Sequence, residues 1–240
     1  MANASGSKYF GVNSTVAANR DGSCATGYES MAIGPNASTT GNGSVAIGPN
    51  TRATGLNSYA LGNNAIATQK DAYSFGEGAR SEGENALAFG TQSYAGGNGA
   101  ISLGILSNAS GISSTAIGAG SNATGLAATA LGTVSNATGN YSFAQGFFSN
   151  ATGDYSIAQG YGSNATGHRT IAIGNTSQTI GDQAIAIGSN SNASGENAIA
   201  IGNASQTTGH KAIAIGNGTT AGQESMAMGI NATANNISSI

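Results

Sequence analysis

Glycine occupies every seventh position from Gly27 to Gly216, twenty-eight positions in all, and Gln69 is the one exception. A register this strict fixes a 14-residue repeat of two half-turns, each closed by a residue without a Cβ. One series runs from Gly34 through Gly48, Gly62, Gly76 and Gly90 to Gly216, and the other from Gly27 through Gly41, Gly55 and Gly83 to Gly209. Coils so short cannot bury their faces alone, so they stack as a solenoid in which each covers its neighbours. Function on such a scaffold belongs to a surface and not to a pocket. A single 13-residue step, from Gly216 to Gly229, removes one residue from a turn and keeps both strands.

With 39 glycines and 7% charged residues, the chain has the composition of a disordered low-complexity tract, but the period argues against disorder. Collagen needs Gly at every third position, which this chain lacks. Calcium-binding nonapeptide repeats need Asp in turns that here carry Asn and Ser. A net charge of −3 without any Lys/Arg run offers no electrostatic footprint for nucleic acid. Cys24 is the sole cysteine and supplies neither a disulfide framework nor a metal cluster, and no cofactor is expected. No apolar run approaches the roughly 20 residues of a membrane span, and no signal-peptide pattern opens the chain. Gly-rich stretches such as Gly96-Gly97-Asn98-Gly99 belong to the repeat and precede no helix, so neither a phosphate loop nor catalysis is indicated.

Alternation within each coil tells where side chains point. Two residues before each glycine of the Gly34 series stands Ala or Ser (Ala32, Ala46, Ala60, Ser74, Ala88), and four before it stands Ser, Ala or Thr. Between and after them come large apolar residues: Val45 and Ile47, Leu61, Phe75, Leu87 and Phe89, Ile101 and Leu103, Ile117 and Leu131. The columns continue through Phe143, Ile157, Ile171 and Ile173, Ile185 and Ile187, Ile199 and Ile201, and Ile213 and Ile215. Strict alternation of this kind describes a strand with one small and one large face. The second half-turn alternates as well, with Ser107 and Ala109 and their equivalents forming its small columns. Its opposite face is polar: Asn108, Asn122, Asn136, Asn150 and Asn164, with Thr124, Thr138, Thr152 and Thr166.

Small residues on one face of both strands suit a thin interior where two sheets meet over Ala and Ser. The large apolar face must then point outward. Fifteen coils at about 4.8 Å make a rod of about 70 Å, and a stripe ~10 Å wide along it exposes about 700 Å² of apolar surface. Soluble monomers rarely carry an exposed patch above about 300–600 Å². Self-association through the first strands around a common axis is expected, leaving the Asn/Thr face to water. Gln145 and Gln159 interrupt the apolar column in consecutive coils and would set amides near the axis, fixing register or holding water, with an ion as the alternative.

The opening Lys8-Tyr9-Phe10-Gly11-Val12-Asn13-Ser14-Thr15, then Ser30-Met31-Ala32-Ile33-Gly34-Pro35-Asn36-Ala37 and a run of S-x-A-x-G coils, resemble the head domain of trimeric autotransporter adhesins. The resemblance implies an all-β fold, a homotrimer of left-handed parallel β-rolls joined by the apolar face. It also implies display on the outer membrane of a Gram-negative bacterium, attached through a C-terminal anchor that this sequence lacks. The partners it implies are a host matrix protein, a cell-surface receptor or glycan, or other bacteria. One branch links a coil N-S-V-A-I-G-x-x-S to collagen binding. Here Gly43-Ser44-Val45-Ala46-Ile47-Gly48 lacks the Asn, and Asn197-Ala198-Ile199-Ala200-Ile201-Gly202 lacks the Ser and Val.

Residues 1–26 form an irregular first coil and 27–240 the repeats, with Ser238-Ser239-Ile240 as the front half of a further strand, the mark of a fragment. Many Asn columns are N-x-[ST] sequons, including Asn108, Asn122, Asn136, Asn150, Asn164, Asn192 and Asn231, but stacked amides are expected there before glycans. Phe147, Phe148 and Tyr161 follow coil-closing glycines, where they can serve as contact hot spots or pack turn on turn. With the Asn/Thr columns they form the candidate ligand face. His168 and His210 share a column three coils apart, too far for one metal site, and are expected to be solvated turn residues. Lys70, Asp71, Glu77, Arg80, Glu82 and Glu84 form the one charged collar, a solvated edge. The function classes that fit are an adhesin head, a structural spacer or viral or phage fibre, and an ice-binding surface on the regular Asn/Thr array.

Overall fold

The computed structural model describes residues 25–235. The Lys8–Thr15 segment, Cys24, almost all of the irregular first coil and the partial strand at Ser238–Ile240 lie outside the described residues. The chain divides into two compact units, residues 1–113 and 114–240. In the first, six three-residue strands from Met31–Ile33 to Ile101–Leu103 form one parallel sheet, and six two-residue strands from Ser38–Thr39 to Asn108–Ala109 form the other. The second unit repeats the plan with nine of each, from Thr115–Ile117 to Met226–Met228 and from Asn122–Ala123 to Thr233–Ala234. Each strand pairs with its equivalent in the next coil, as in Ile157↔Ile171 and Ala158↔Ala172. This is a parallel β-solenoid of about fifteen coils.

The interior holds only small side chains. Among the described residues every buried hydrophobic residue is Ala, and the largest fully buried side chains are Thr. Ala46, Ala60, Ser74 and Ala88 stand at the middle of their strands with no exposed surface, opposite Ala53, Ala67 and Ser81 of the second sheet. Larger residues flank each buried one on the outer face, because side chains alternate along a strand.

Nearly every turn follows the form Gly-x-x-Ser/Thr or Gly-x-x-Ala, and the chemistry of the first form accounts for the Ser columns. In Gly55–Ser58 both the N–H of Ser58, at 3.3 Å, and its Oγ, at 2.8 Å, donate to the Gly55 carbonyl. The same side-chain closure recurs at Ser121 onto Gly118 (2.8 Å), Ser135 onto Gly132 (2.8 Å) and Thr170 onto Gly167 (2.9 Å). Serine is thus small enough for the interior and also supplies the donor that ends the turn. The residue just before it has left-handed φ, 52° at Asn57, and its N–H donates to the Asn42 carbonyl of the preceding coil at 2.8 Å. Asn or Gly often fills that position, yet Leu106, Val134, Tyr141, Phe148 and Arg169 adopt the same conformation. Each costs roughly 1–2 kcal/mol, held in place by the stacked backbone on either side.

The two glycine series exist for different reasons. Gly48 has φ of 125°, and a Cβ there would come within 2.8 Å of the Gly62 carbonyl oxygen. Gly41 has no such dihedral demand, but a Cβ would overlap the Gly55 carbonyl of the next coil. Gln69 belongs to this second series, where φ is not positive, and its side chain is exposed. An L side chain is tolerated where only close approach, and not backbone handedness, opposes it. The 13-residue coil pairs Ile213↔Met226 and Thr220↔Thr233, so both strands survive. The shortened turn is Gly222–Ser225: Gly222 follows Ala221 directly, whereas Thr208 separates Thr207 from Gly209 one coil earlier.

Gly146, at φ 127° with the Gly160 oxygen 2.5 Å from a built Cβ, should lose about 2 kcal/mol or more as Gly146→Ala. Val134 sits at φ 56°, so Val134→Asn should gain about 1 kcal/mol. Thermal unfolding followed by circular dichroism should show the two midpoints moving in opposite directions.

Candidate functional site

The residues expected at a self-association face lie on the outer side of the three-residue strands in both units. Val45, Ile47, Leu61, Phe75, Leu87, Leu103, Leu131, Phe143 and Ile157 are half-buried, as are Ile171, Ile173, Ile185, Ile199, Ile201, Ile213 and Ile215. Phe89, Ile101, Ile117 and Ile187 are exposed. Equivalent side chains align coil on coil, as in Ile185↔Ile199 and Ile187↔Ile201. Tyr59 and Tyr73, whose rings stack at 5.2 Å, belong to this face, as do Thr115, Thr129, Met226 and Met228. Column position was the signal for these; the polar or aromatic character of the Thr and Tyr residues hid it. Gln145 pairs with Gln159 across adjacent strands, and both side chains are exposed.

On the two-residue strands, Asn122, Asn136, Asn150 and Asn164 form an amide ladder. Nδ2 of each donates to Oδ1 of the next at 2.7, 2.8 and 3.0 Å. The sequons at Asn122, Asn136 and Asn150 therefore have amide nitrogens already engaged. Further on, Gln178 and Gln206 take the column on either side of Asn192. Asn108 is half-buried at the equivalent position of the first unit. Thr124, Thr152 and Thr166 are exposed and Thr138 half-buried at the strand ends.

The aromatic candidates stand apart from this polar strand. Phe147, Phe148 and Tyr161 occupy the turn that leads into it, each between 43% and 56% exposed. Phe147 stacks on Tyr161 at 5.6 Å and meets Phe148 edge-on at 4.3 Å, so the rings pack turn on turn and remain exposed. The candidate ligand face is consequently two neighbouring features, an amide floor and an aromatic rim. A second rim went unread in the sequence: Tyr141 and Tyr155, both at left-handed φ, stack at 5.1 Å on the other turn. His168 packs edge-on against Tyr155 at 5.7 Å instead of standing free in solvent, while His210 Nδ1 lies 3.6 Å from Glu196. On this same turn, side-chain oxygens cap the preceding coil. Asn140 accepts the Leu126 N–H at 3.0 Å, Asp154 that of Asn140 at 2.7 Å, and Asp182 that of His168 at 2.9 Å. Among the described residues no three His, Cys, Asp or Glu side chains gather as metal ligands.

The charged collar spreads over three sides of its coils. Lys70 lies 3.7 Å from Asp71 and 3.8 Å from Glu84 on one turn, Glu77 occupies the other turn, and Arg80 pairs with Glu82 beside the two-residue strand. Tyr94 donates its hydroxyl to Glu82 at 3.2 Å, and its ring lies over Gly96 where a Cβ would clash. The Gly96-Gly97-Asn98-Gly99 run is thereby explained. Gly96 admits the tyrosine, Gly97 keeps the period, Asn98 caps the Glu84 N–H at 3.0 Å, and Gly99 turns at φ 66°. Burial raises the Tyr94 phenol above its ordinary 10.0, the Glu82 charge and hydrogen bond add to the rise, and Arg80 opposes it.

Asn136→Ala removes both of that residue's ladder bonds and should cost about 1–3 kcal/mol, read as a fall in unfolding midpoint. Because the folded state favours the neutral Tyr94 phenol, the stability it contributes is complete below pH 10.0 and is lost as pH rises through the elevated value. Tyr94→Phe should flatten that part of the alkaline stability profile.

The YadA head domain repeat matches at residues 25–51, 53–72, 67–93, 81–107, 95–121, 109–135, 123–149, 137–163, 151–177, 165–191, 180–205, 193–219 and 221–240. No curated protein sequence matches the chain significantly. Among solved structures, the collagen-binding domain of the Yersinia adhesin YadA is similar at 22% identity, covering 78% of this chain and 80% of that one, with a TM-score of 0.31. The head-repeat matches reach across nearly all of residues 25–240, in step with the coils, and the chain belongs to the YadA head-domain repeat family.

Proposed function

We propose that this chain is the adhesive head of a trimeric autotransporter, displayed outside the cell on a bacterial outer membrane. Three copies join through the face carrying Ile171, Ile185, Ile199 and Ile213, and the Asn/Thr strands with their aromatic rims meet a host matrix protein, receptor or glycan. The observation that carries this reading is the pairing, in both units, of an all-Ala/Ser/Thr interior with outer columns made mostly of half-exposed large apolar side chains. Those side chains have no place inside their own coil. Burying each fully gains up to about 1.5–3 kcal/mol, less the part already covered. Repeated copies on one assembly then add avidity of about 10²–10⁴-fold over a single weak contact.

Sedimentation of the full chain should give a trimer, and Ile185→Lys with Ile199→Lys should give a folded monomer whose retention on cells or matrix falls at least about 100-fold. A monomeric unsubstituted chain would sink the reading. Gln145→Ile with Gln159→Ile should raise the unfolding midpoint of the trimer by removing amides from the apolar face; a fall would count against the axial placement. No charged residue lies between Asn85 and Gly153, so ligand held on that stretch should show little weakening between low and high salt.

A further inference from the structure

All six aromatic residues of the unit 114–240 fall between Tyr141 and Tyr161, in two consecutive coils. Rings needed only to stack one coil on the next would recur along the repeat. Five of the six are exposed, and they form two rims. Tyr141 and Tyr155 lie within 9° of parallel on one turn, while Phe147, Phe148 and Tyr161 cluster on the other. In sequence and in the fold, the strands Asn150–Ala151 and Asn164–Ala165 run between these turns, carrying the half-exposed Asn150–Asn164 amide pair. The surface therefore offers apolar ring edges and faces, phenol hydroxyls and amides within the same two coils.

Charge narrows what such a surface takes. Asp154 is engaged by the Asn140 N–H, and the Arg169 guanidinium lies 6.0 Å from the Tyr155 ring centre, so one negative and one positive group offset each other. A sulfated or sialylated ligand would need an uncompensated cationic patch. A proline-rich peptide would use the rings but offers few donors to the amide row. Pyranose rings combine apolar C–H faces with hydroxyls that both donate and accept, which suits aromatic rims beside amides. We propose that the two coils from Tyr141 to His168 bind an uncharged oligosaccharide. The proposal rests on the adhesive-head reading and supplies its ligand class.

The test uses the full chain on an array of neutral, sialylated and sulfated glycans plus a proline-rich triple-helical peptide. The variant Phe147→Thr, Phe148→Gly, Tyr161→Asn copies the residues found in the same columns of adjacent coils, Thr133, Gly162 and Asn175, so the fold is preserved. Retention on neutral glycans is expected, unchanged from low to high salt. The variant should lose it at least tenfold with an unfolding midpoint no lower than that of the unsubstituted chain, since Phe148→Gly also relieves a left-handed φ. Absence of neutral-glycan binding, retention by the variant, or binding confined to charged glycans or the peptide overturns the proposal. If the unsubstituted chain still adheres to cells or matrix in those cases, the glycan site alone has failed; if it adheres to nothing, the adhesive-head reading has failed too.

Discussion

Two short parallel sheets closed over each other leave an interior in which threonine is the largest side chain that fits completely. That limit sends every Ile, Leu, Val and Phe of the repeat outward and makes the coil unable to cover its own apolar surface. The limit arises from the coil's length. Seven residues per half-turn are spent on a strand of two or three residues and a turn, and turns this tight hold the sheets against each other. Ser and Ala are the residues that meet both demands, since Ser also closes the turn onto the glycine carbonyl.

Stacking decides more than the strands do. Turn N–H groups donate along the stack to the preceding coil, and on one turn Asn or Asp side-chain oxygens accept N–H groups from it. Backbone groups that a surface turn would ordinarily give to water are therefore satisfied by the neighbouring coil. This lets the turns vary freely in side chain, including bulky residues at left-handed φ, because the stacked backbone and not local propensity dictates the conformation. Sequence variety collects on the outer edges, and the aromatic rims at Tyr141–Tyr161 are one outcome of that freedom.

The polar sheet shows why surface residues resist assignment from a motif. The sequons at Asn122, Asn136 and Asn150 satisfy the N-x-[ST] pattern, yet the stack spaces them so that each amide nitrogen serves its neighbour. The Ser and Thr that complete a sequon are themselves turn or strand residues of the repeat. A pattern that signals modification in an isolated loop is here a by-product of building the coil.

The period and the small/large alternation determined, without coordinates, where the strands lie, which residues are interior and which face is apolar. Only one arrangement puts every Ala and Ser column inside, so these were legible in the residues alone. That the 13-residue coil gives up a turn residue and keeps both strands was readable for the same reason. Other features were decided only by the tertiary structure. The separate reasons for the two glycine series, the tolerance of Gln69, the Asx caps at Asn140 and Asp154, the Tyr94–Gly96 contact and the pairing of Tyr141 with Tyr155 all depend on atoms fourteen residues apart, or across a turn, being brought within contact distance. A linear pattern records which residue types recur, whereas hydrogen-bond partners and ring contacts follow from how one coil's backbone rests on the next.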